Sequence, residues 1–174
     1  MIKDYCLVPF YSLFSLGRGL NITKSDYVEN GYPCLSYGDV HSRFKGFVNA
    51  SRDNLPKVDF KFLKSNPLAL LNEGDIVFAD TSEDYEGSGD STCVLECNSI
   101  FFAGYHTTIA RPRSRLKVYS PYFGYYFQSE HFRGQLKKRV SGVKVYSITN
   151  RVLNSTRVLL PNLEEQKKYC IHFK

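Results

Sequence analysis

Glu165-Gln166-Lys167 has the spacing of the Glu-x-Lys arm of a metal-dependent nuclease. Metal-assisted phosphodiester cleavage needs that arm on a strand, beside a second carboxylate that holds the ion. Here it follows Pro161 in a helix start, so the match reads as coincidence. The run Asp80-Thr81-Ser82-Glu83-Asp84 carries oxygen ligands suited to Ca²⁺ or Mg²⁺. It lacks the spacing and closing bidentate Glu of an EF-hand and reads as a solvated turn. His41, His106, His131 and His172 show no metal-ligating spacing, and His106 falls in an alternating strand pattern as a packed histidine. Cys93 and Cys97 have no second pair to complete a zinc site. The five scattered cysteines read as reduced, mostly buried thiols. A P-loop, a dinucleotide glycine fingerprint, a Gly-x-Ser-x-Gly elbow and the Pro-Pro-aromatic tetrapeptide of amino-methyltransferases are all absent. The expectation is a chain that does no chemistry and needs no cofactor or metal.

What remains is binding chemistry. Tyr37, His41, Ser42, Arg43 and Lys45 follow an expected strand end and offer hydrogen-bonding side chains in a loop. Arg111, Arg113 and Arg115 alternate, so an extended segment would point all three the same way. Ser141-Gly142-Val143-Lys144 is a glycine turn whose N–H groups and lysine suit a phosphate, with Tyr146 two residues beyond. The net charge is +6, but its distribution matters more. Residues 73–96 hold eight acids and no Lys or Arg, while residues 111–157 hold eleven Lys or Arg and one acid, Glu130. That asymmetry predicts a polar field with a basic face able to attract polyanions; a solvated basic face without a ligand is the competing reading.

These residues need a scaffold. A chain of 174 residues suits one domain with a core of its own. No apolar run nears the roughly 20 residues that span a bilayer, and the first residues do not resemble a signal peptide, so a cytoplasmic protein is expected. Frequent Gly, Asn-Gly and Asn-Pro turn signals separate short β-prone runs at residues 33–37, 75–79, 92–95, 106–110 and 143–146. Helical spacing is confined to residues 60–65 and a longer stretch, 121–140, which should break where Ser129 caps a second helix from Glu130. Short uneven strands with a few helices predict an α+β domain built on a bent, mixed, β-helix-like sheet.

The end of the chain is the most telling stretch. Val158-Leu159-Leu160 reads as a buried strand stopped by Pro161, and Asn162 as the N-cap of a helix whose first turn holds Glu164 and Glu165. A helix of about three turns does not fold for its own sake.

Taken in order, these segments resemble the DNA-specificity subunits of type I restriction-modification systems, and in particular one target-recognition domain. The resemblance rests on Gly31-Tyr32-Pro33-Cys34-Leu35-Ser36-Tyr37-Gly38-Asp39-Val40, then Leu71-Asn72-Glu73-Gly74-Asp75-Ile76, then His106-Thr107-Thr108-Ile109-Ala110-Arg111-Pro112. It closes on Leu160-Pro161-Asn162-Leu163-Glu164-Glu165-Gln166. It implies a recognition domain over residues 1–161 and the start of a spacer helix over 162–174, the rest of that helix being absent. It also implies a non-catalytic module that reads one half of a bipartite DNA target. The implied partners are double-stranded DNA and a methyltransferase subunit, then a restriction subunit and a second specificity fragment; no membrane is implied. A recognition fragment of a fused restriction-methylation enzyme, and a spare or inactive specificity cassette, stay open as alternatives.

Overall fold

A computed structural model describes residues 5–140 and 145–171. The chain opens with β1 (Cys6–Pro9), α1 (Phe10–Leu13), β2 (Phe14–Arg18) and β3 (Tyr27–Leu35). α2 (Tyr37–Ser42), β4 (Gly46–Val48), β5 (Lys57–Val58) and α3 (Phe62–Ser65) follow. Next come β6 (Ile76–Ala79), β7 (Thr81–Ser82), β8 (Ser91–Val94), β9 (Phe102–Ala103) and β10 (Thr107–Pro112). The remainder is α4 (Ser120–Tyr126), α5 (Glu130–Lys137), β11 (Tyr146–Ser147), α6 (Asn150–Asn154), β12 (Arg157–Leu160) and α7 (Leu163–Ile171).

The expected mixed α+β architecture is present, with its strands divided among several sheets rather than bent into one. The largest has the order β2-β10-β6-β8-β4, antiparallel except for the parallel β4–β8 pair. Beside it lie a β5-β3-β9 sheet and the two-stranded pairs β1-β12 and β11-β7. Strand β6 explains the layering. Its four residues are all buried, and alternate side chains leave a strand on opposite faces. Ile76 and Phe78 therefore enter one core with α4 and α5, while Val77 and Ala79 enter another with Val40 of α2. The first core is aromatic: Phe10, Phe78, Phe127 and Phe132 pack with ring centroids 4.3 to 6.3 Å apart. Buried aromatic pairs of this kind dominate core energetics.

Local capping chemistry sets the helix boundaries. The long helical stretch breaks where expected, and Ser129 Oγ accepts from the Phe132 N–H at 3.4 Å. Asn162 Oδ1 accepts from the Glu165 N–H at 3.0 Å and opens α7. Gln166, in the second turn, is 1% exposed. Its Nε2 donates to the carbonyls of Lys117 and Pro161, each at 2.9 Å, and its Oε1 accepts from the Tyr119 N–H at 2.8 Å. The short α6, capped by Thr149 Oγ1 on Val152 N–H at 3.3 Å, was not among the expected helices.

Three expectations need correction. Strand β3 ends at Leu35, and residues 37–42 form α2 rather than a loop. Asp39 reaches back to the Ser36 N–H at 3.2 Å, a capping interaction that wins over continued extension. His106 does not belong to an alternating strand; it precedes β10 with φ +52°. The charge asymmetry along the chain is not kept in space. Asp75 pairs with Arg111 at 2.7 Å, Asp90 with Arg133 at 2.8 Å and Glu86 with Lys137 at 2.6 Å, so the acidic segment folds against the basic one. The thiols behave as expected: Cys34, Cys93 and Cys170 are buried, and burial pushes the Cys34 thiol up to about 12. Among the described residues, no helix is long and apolar enough to cross a membrane and no group of acidic, His or Cys side chains could hold a metal.

Candidate nucleic-acid interface

Side chains from four separate segments meet at one edge of the molecule. Helix α2 supplies Tyr37 and His41, with Lys45 just beyond it. Asp80 between β6 and β7 and Thr81 at the start of β7 come next, the turn before β10 supplies Tyr105 and His106, and β11 supplies Tyr146. The Tyr37 ring lies 6.0 Å from His41, 6.4 Å from Tyr105 and 5.6 Å from His106. Tyr146 pairs with Ser82 across the β7–β11 ladder, and its ring is 5.6 Å from Tyr85. The loop between β7 and β8 is tied down from within. Ser82 Oγ donates to the Asp84 carbonyl at 2.7 Å, and the Asp84 carboxylate accepts from the Gly87 N–H. Between this loop and α2 opens a cavity of about 590 Å³, lined in part by Tyr37, His41, Lys45, Asp84, Asp90 and Arg133.

Its floor is an unusual charge cluster. The Asp90 side chain has no solvent exposure, yet three cationic groups reach it. His41 Nδ1 and Lys45 Nζ each lie 2.8 Å from Oδ2, and Arg133 Nη1 lies 2.8 Å from Oδ1 in ion-pair contact without hydrogen-bond alignment. Arg133 also donates to the Glu86 carbonyl. Burial pushes the Asp90 carboxyl up, but hydrogen bonds from His41 and Lys45 and the charges of Arg133 and Lys45 outweigh it and hold the group below its ordinary value.

His41 Nε2 lies 2.9 Å from the Thr81 carbonyl. Both ring nitrogens thus face acceptors, an arrangement that favours the imidazolium. The hydrogen bond to Asp90 raises the His41 pKa, opposed by burial and Lys45 and assisted by the Thr81 carbonyl. A raised folded-state pKa means stability that is complete below the unfolded value of about 6.5 and lost as pH rises through the folded one. The melting-temperature deficit of His41→Ala is therefore expected to be largest in mildly acidic solution. It should shrink on the alkaline side to a constant left by lost packing; a deficit that grows with pH would refute the imidazolium.

The structure separates the residues expected to form one binding face. Tyr37, His41 and Lys45 line the cavity, and Tyr146 stands at the same edge. Ser42 Oγ turns back to the Gly38 carbonyl at 2.7 Å, and Arg43 bonds the Asn54 carbonyl. The three alternating arginines do not converge. Arg111 is locked to Asp75 and the Leu70 carbonyl, Arg113 donates to the carbonyls of Tyr11 and Phe14, and Arg115 to that of Glu73. The strand ends at Pro112, so period-two alternation does not extend to Arg115. Ser141 and Lys144 lie outside the described residues. Asp90 and Arg133 were missed, while the sequence reads Asp80 as part of a solvated turn and His106 as a packed strand histidine. For Asp90 no local signal exists, since its partner His41 is 49 residues away.

No protein-family model matches this sequence. Over 174 residues it is 25% identical to the type I restriction enzyme MjaVIII specificity subunit of Methanocaldococcus jannaschii, across 99% of this chain and 39% of that protein. Nearly the whole chain is thus similar to part of a type I specificity subunit. Its fold agrees. The specificity subunit of the type I restriction-modification system of M. genitalium superposes with a TM-score of 0.67 at 14% identity, over 98% of this chain and 38% of that one. A chain from a structure concerned with complex assembly and conformational transition of the type I system superposes with a TM-score of 0.65 at 19% identity, over 97% and 37% respectively. The chain thus spans less than two fifths of the length of each of these proteins.

Proposed function

We propose that this chain is a target-recognition domain that reads one half of a bipartite DNA sequence for a type I restriction-modification methyltransferase, without catalysing a reaction itself. The observation that carries the reading is the alignment of 99% of the chain with a type I specificity subunit. Residues 1–161 form the reading unit, and α7 begins the spacer that connects it to the methyltransferase subunit. A restriction subunit and a second specificity fragment complete the assembly.

The proposed DNA edge is the one that gathers Tyr37, His106, Tyr105, Tyr146 and Lys45. Imidazole and phenol groups there suit base edges, each good pair giving about 1–3 kcal/mol of discrimination. Phosphates need cations that are not already engaged. Arg111, Arg113 and Arg115 are bonded within the domain. Lys138 and Arg139 are less committed: they follow Lys137, whose ammonium lies 5.8 Å from the Tyr85 ring centroid, and they form no ion pair among the described residues. The Arg139 guanidinium donates locally, to the Gln135 carbonyl four residues back, rather than to a distant segment. Ser141 and Lys144 continue the same stretch of sequence.

Duplex DNA should bind with an affinity that falls as salt rises. Reversing Lys138 and Arg139 together (Lys138→Glu with Arg139→Glu) should weaken binding to all sequences and flatten the salt dependence by about two phosphate equivalents. Co-purification with the methyltransferase subunit but no DNA binding at low salt would replace this reading with a protein-binding scaffold.

A further inference from the structure

Resting on that DNA-reading proposal, we infer that His106 is a specificity-determining residue, its Nε2 accepting a hydrogen bond from the exocyclic amino group of adenine or cytosine. Four observations on separate aspects of the residue lead there.

Its backbone is the first. Among the described residues His106 alone, apart from glycines, has positive φ. Glycine or asparagine would adopt that conformation more readily, and non-glycine residues held there tend to cluster at functional sites. The second is the rigidity of the setting. The His106 carbonyl accepts from the Asp80 N–H at 3.0 Å. Its Nδ1 lies 3.1 Å from Asp80 Oδ1 and 3.1 Å from Thr81 Oγ1.

The third is the tautomer those contacts impose. The Thr81 hydroxyl donates its one proton to Asp80 Oδ1 at 2.9 Å, so its oxygen meets the imidazole as an acceptor. The carboxylate is an acceptor too. Nδ1 must therefore carry the proton, which leaves Nε2 of the neutral ring as a bare lone pair. The fourth is access. Nε2 has no partner among the described residues, and the His106 side chain is 37% exposed. Tyr105, 39% exposed, lies beside it at a ring separation of 4.0 Å, and Tyr37 lies at 5.6 Å.

The contrast with His41 is instructive. There both nitrogens are consumed by Asp90 and Thr81, and the ring only braces the fold. His106 is fixed through one nitrogen and offers the other. In the major groove an acceptor pairs with adenine N6 or cytosine N4. Guanine presents only acceptors there, and thymine an acceptor and a methyl group. One position of the recognised half-site should therefore favour A or C over G or T.

The test is selection of bound duplexes from a randomised library by the full chain at about pH 8. Two variants are compared with it: His106→Gly, which relieves the backbone and removes the ring, and His106→Asn, which keeps the backbone but shortens the reach. Both should lose a preference of about tenfold or more at one A-or-C position while other positions keep theirs. A wild-type profile in both variants, or a uniform loss of affinity across all sequences, would overturn the assignment while leaving DNA reading intact. If the wild-type chain selects no sequence, DNA reading itself fails, and His106 with it.

Discussion

Asp90→Ala should cost about 3–5 kcal/mol of folding stability, the range for removing one partner of a buried ion pair. The loss comes less from the missing attraction than from what stays behind. Arg133 would remain largely buried with no carboxylate opposite it, and His41 and Lys45 would face each other without the anion that holds them together. The deficit should depend on pH from both sides. Asp90 has a depressed pKa, so its contribution is complete above the unfolded value of about 3.8 and disappears as pH falls through the lower folded value. His41 has a raised one, so its contribution disappears as pH rises. The gap between wild type and Asp90→Ala should therefore be widest in the mildly acidic window between them. Urea unfolding across that range measures it, and a gap below about 1 kcal/mol throughout would mean that the cluster repacks or hydrates. The lining of the proposed DNA edge would loosen too, because His41 and Lys45 hold that cavity wall through Asp90.

The second large effect is expected at Gln166→Leu. Leucine fills nearly the same volume, and a purely hydrophobic account of a buried position predicts gain. Three backbone groups argue otherwise: the Tyr119 N–H and the Lys117 and Pro161 carbonyls would lose the amide that satisfies them. Leaving buried groups unpaired costs about 1–3 kcal/mol each, and a total of about 2–4 kcal/mol follows if water reaches some of them. Hydrogen exchange provides a local readout: the Tyr119 amide and the first turns of α7 should lose protection ahead of β6. Unchanged stability and protection would show that α7 is held by its apolar contacts alone.

The features legible in the sequence were those written in neighbouring residues. Pro161 and Asn162 end β12 and cap α7 within a few positions of one another, and Ser129 breaks the long helical stretch by bonding three residues ahead. The buried run of β6 is likewise a local signal. What stayed hidden depends on which distant segments meet. Arg111, Arg113 and Arg115 look like one basic stripe, yet each guanidinium finds a carbonyl or carboxylate elsewhere in the domain. The acidic and basic segments look like two faces, yet Asp75, Glu86 and Asp90 neutralise partners from the other segment. His106 was the subtlest case. An alternating pattern made it a strand residue, whereas the hydrogen bonds of Asp80 and Thr81 hold it in a turn just before the strand.

The pairing of β1 with β12 has a mechanical consequence. Cys6 opposes Leu160 and Pro9 opposes Arg157, so the outer ends of the two strands lie side by side. The Tyr5 and Tyr169 hydroxyls meet beyond that outer end, 2.9 Å apart. Tension applied between the chain segments before β1 and after β12 would load this ladder in the peeling direction, one rung after another, rather than shearing all rungs together. The tyrosine pair would part first and the Cys6–Leu160 rung next. A pull on the two ends of the domain would thus meet the rungs of this ladder one at a time.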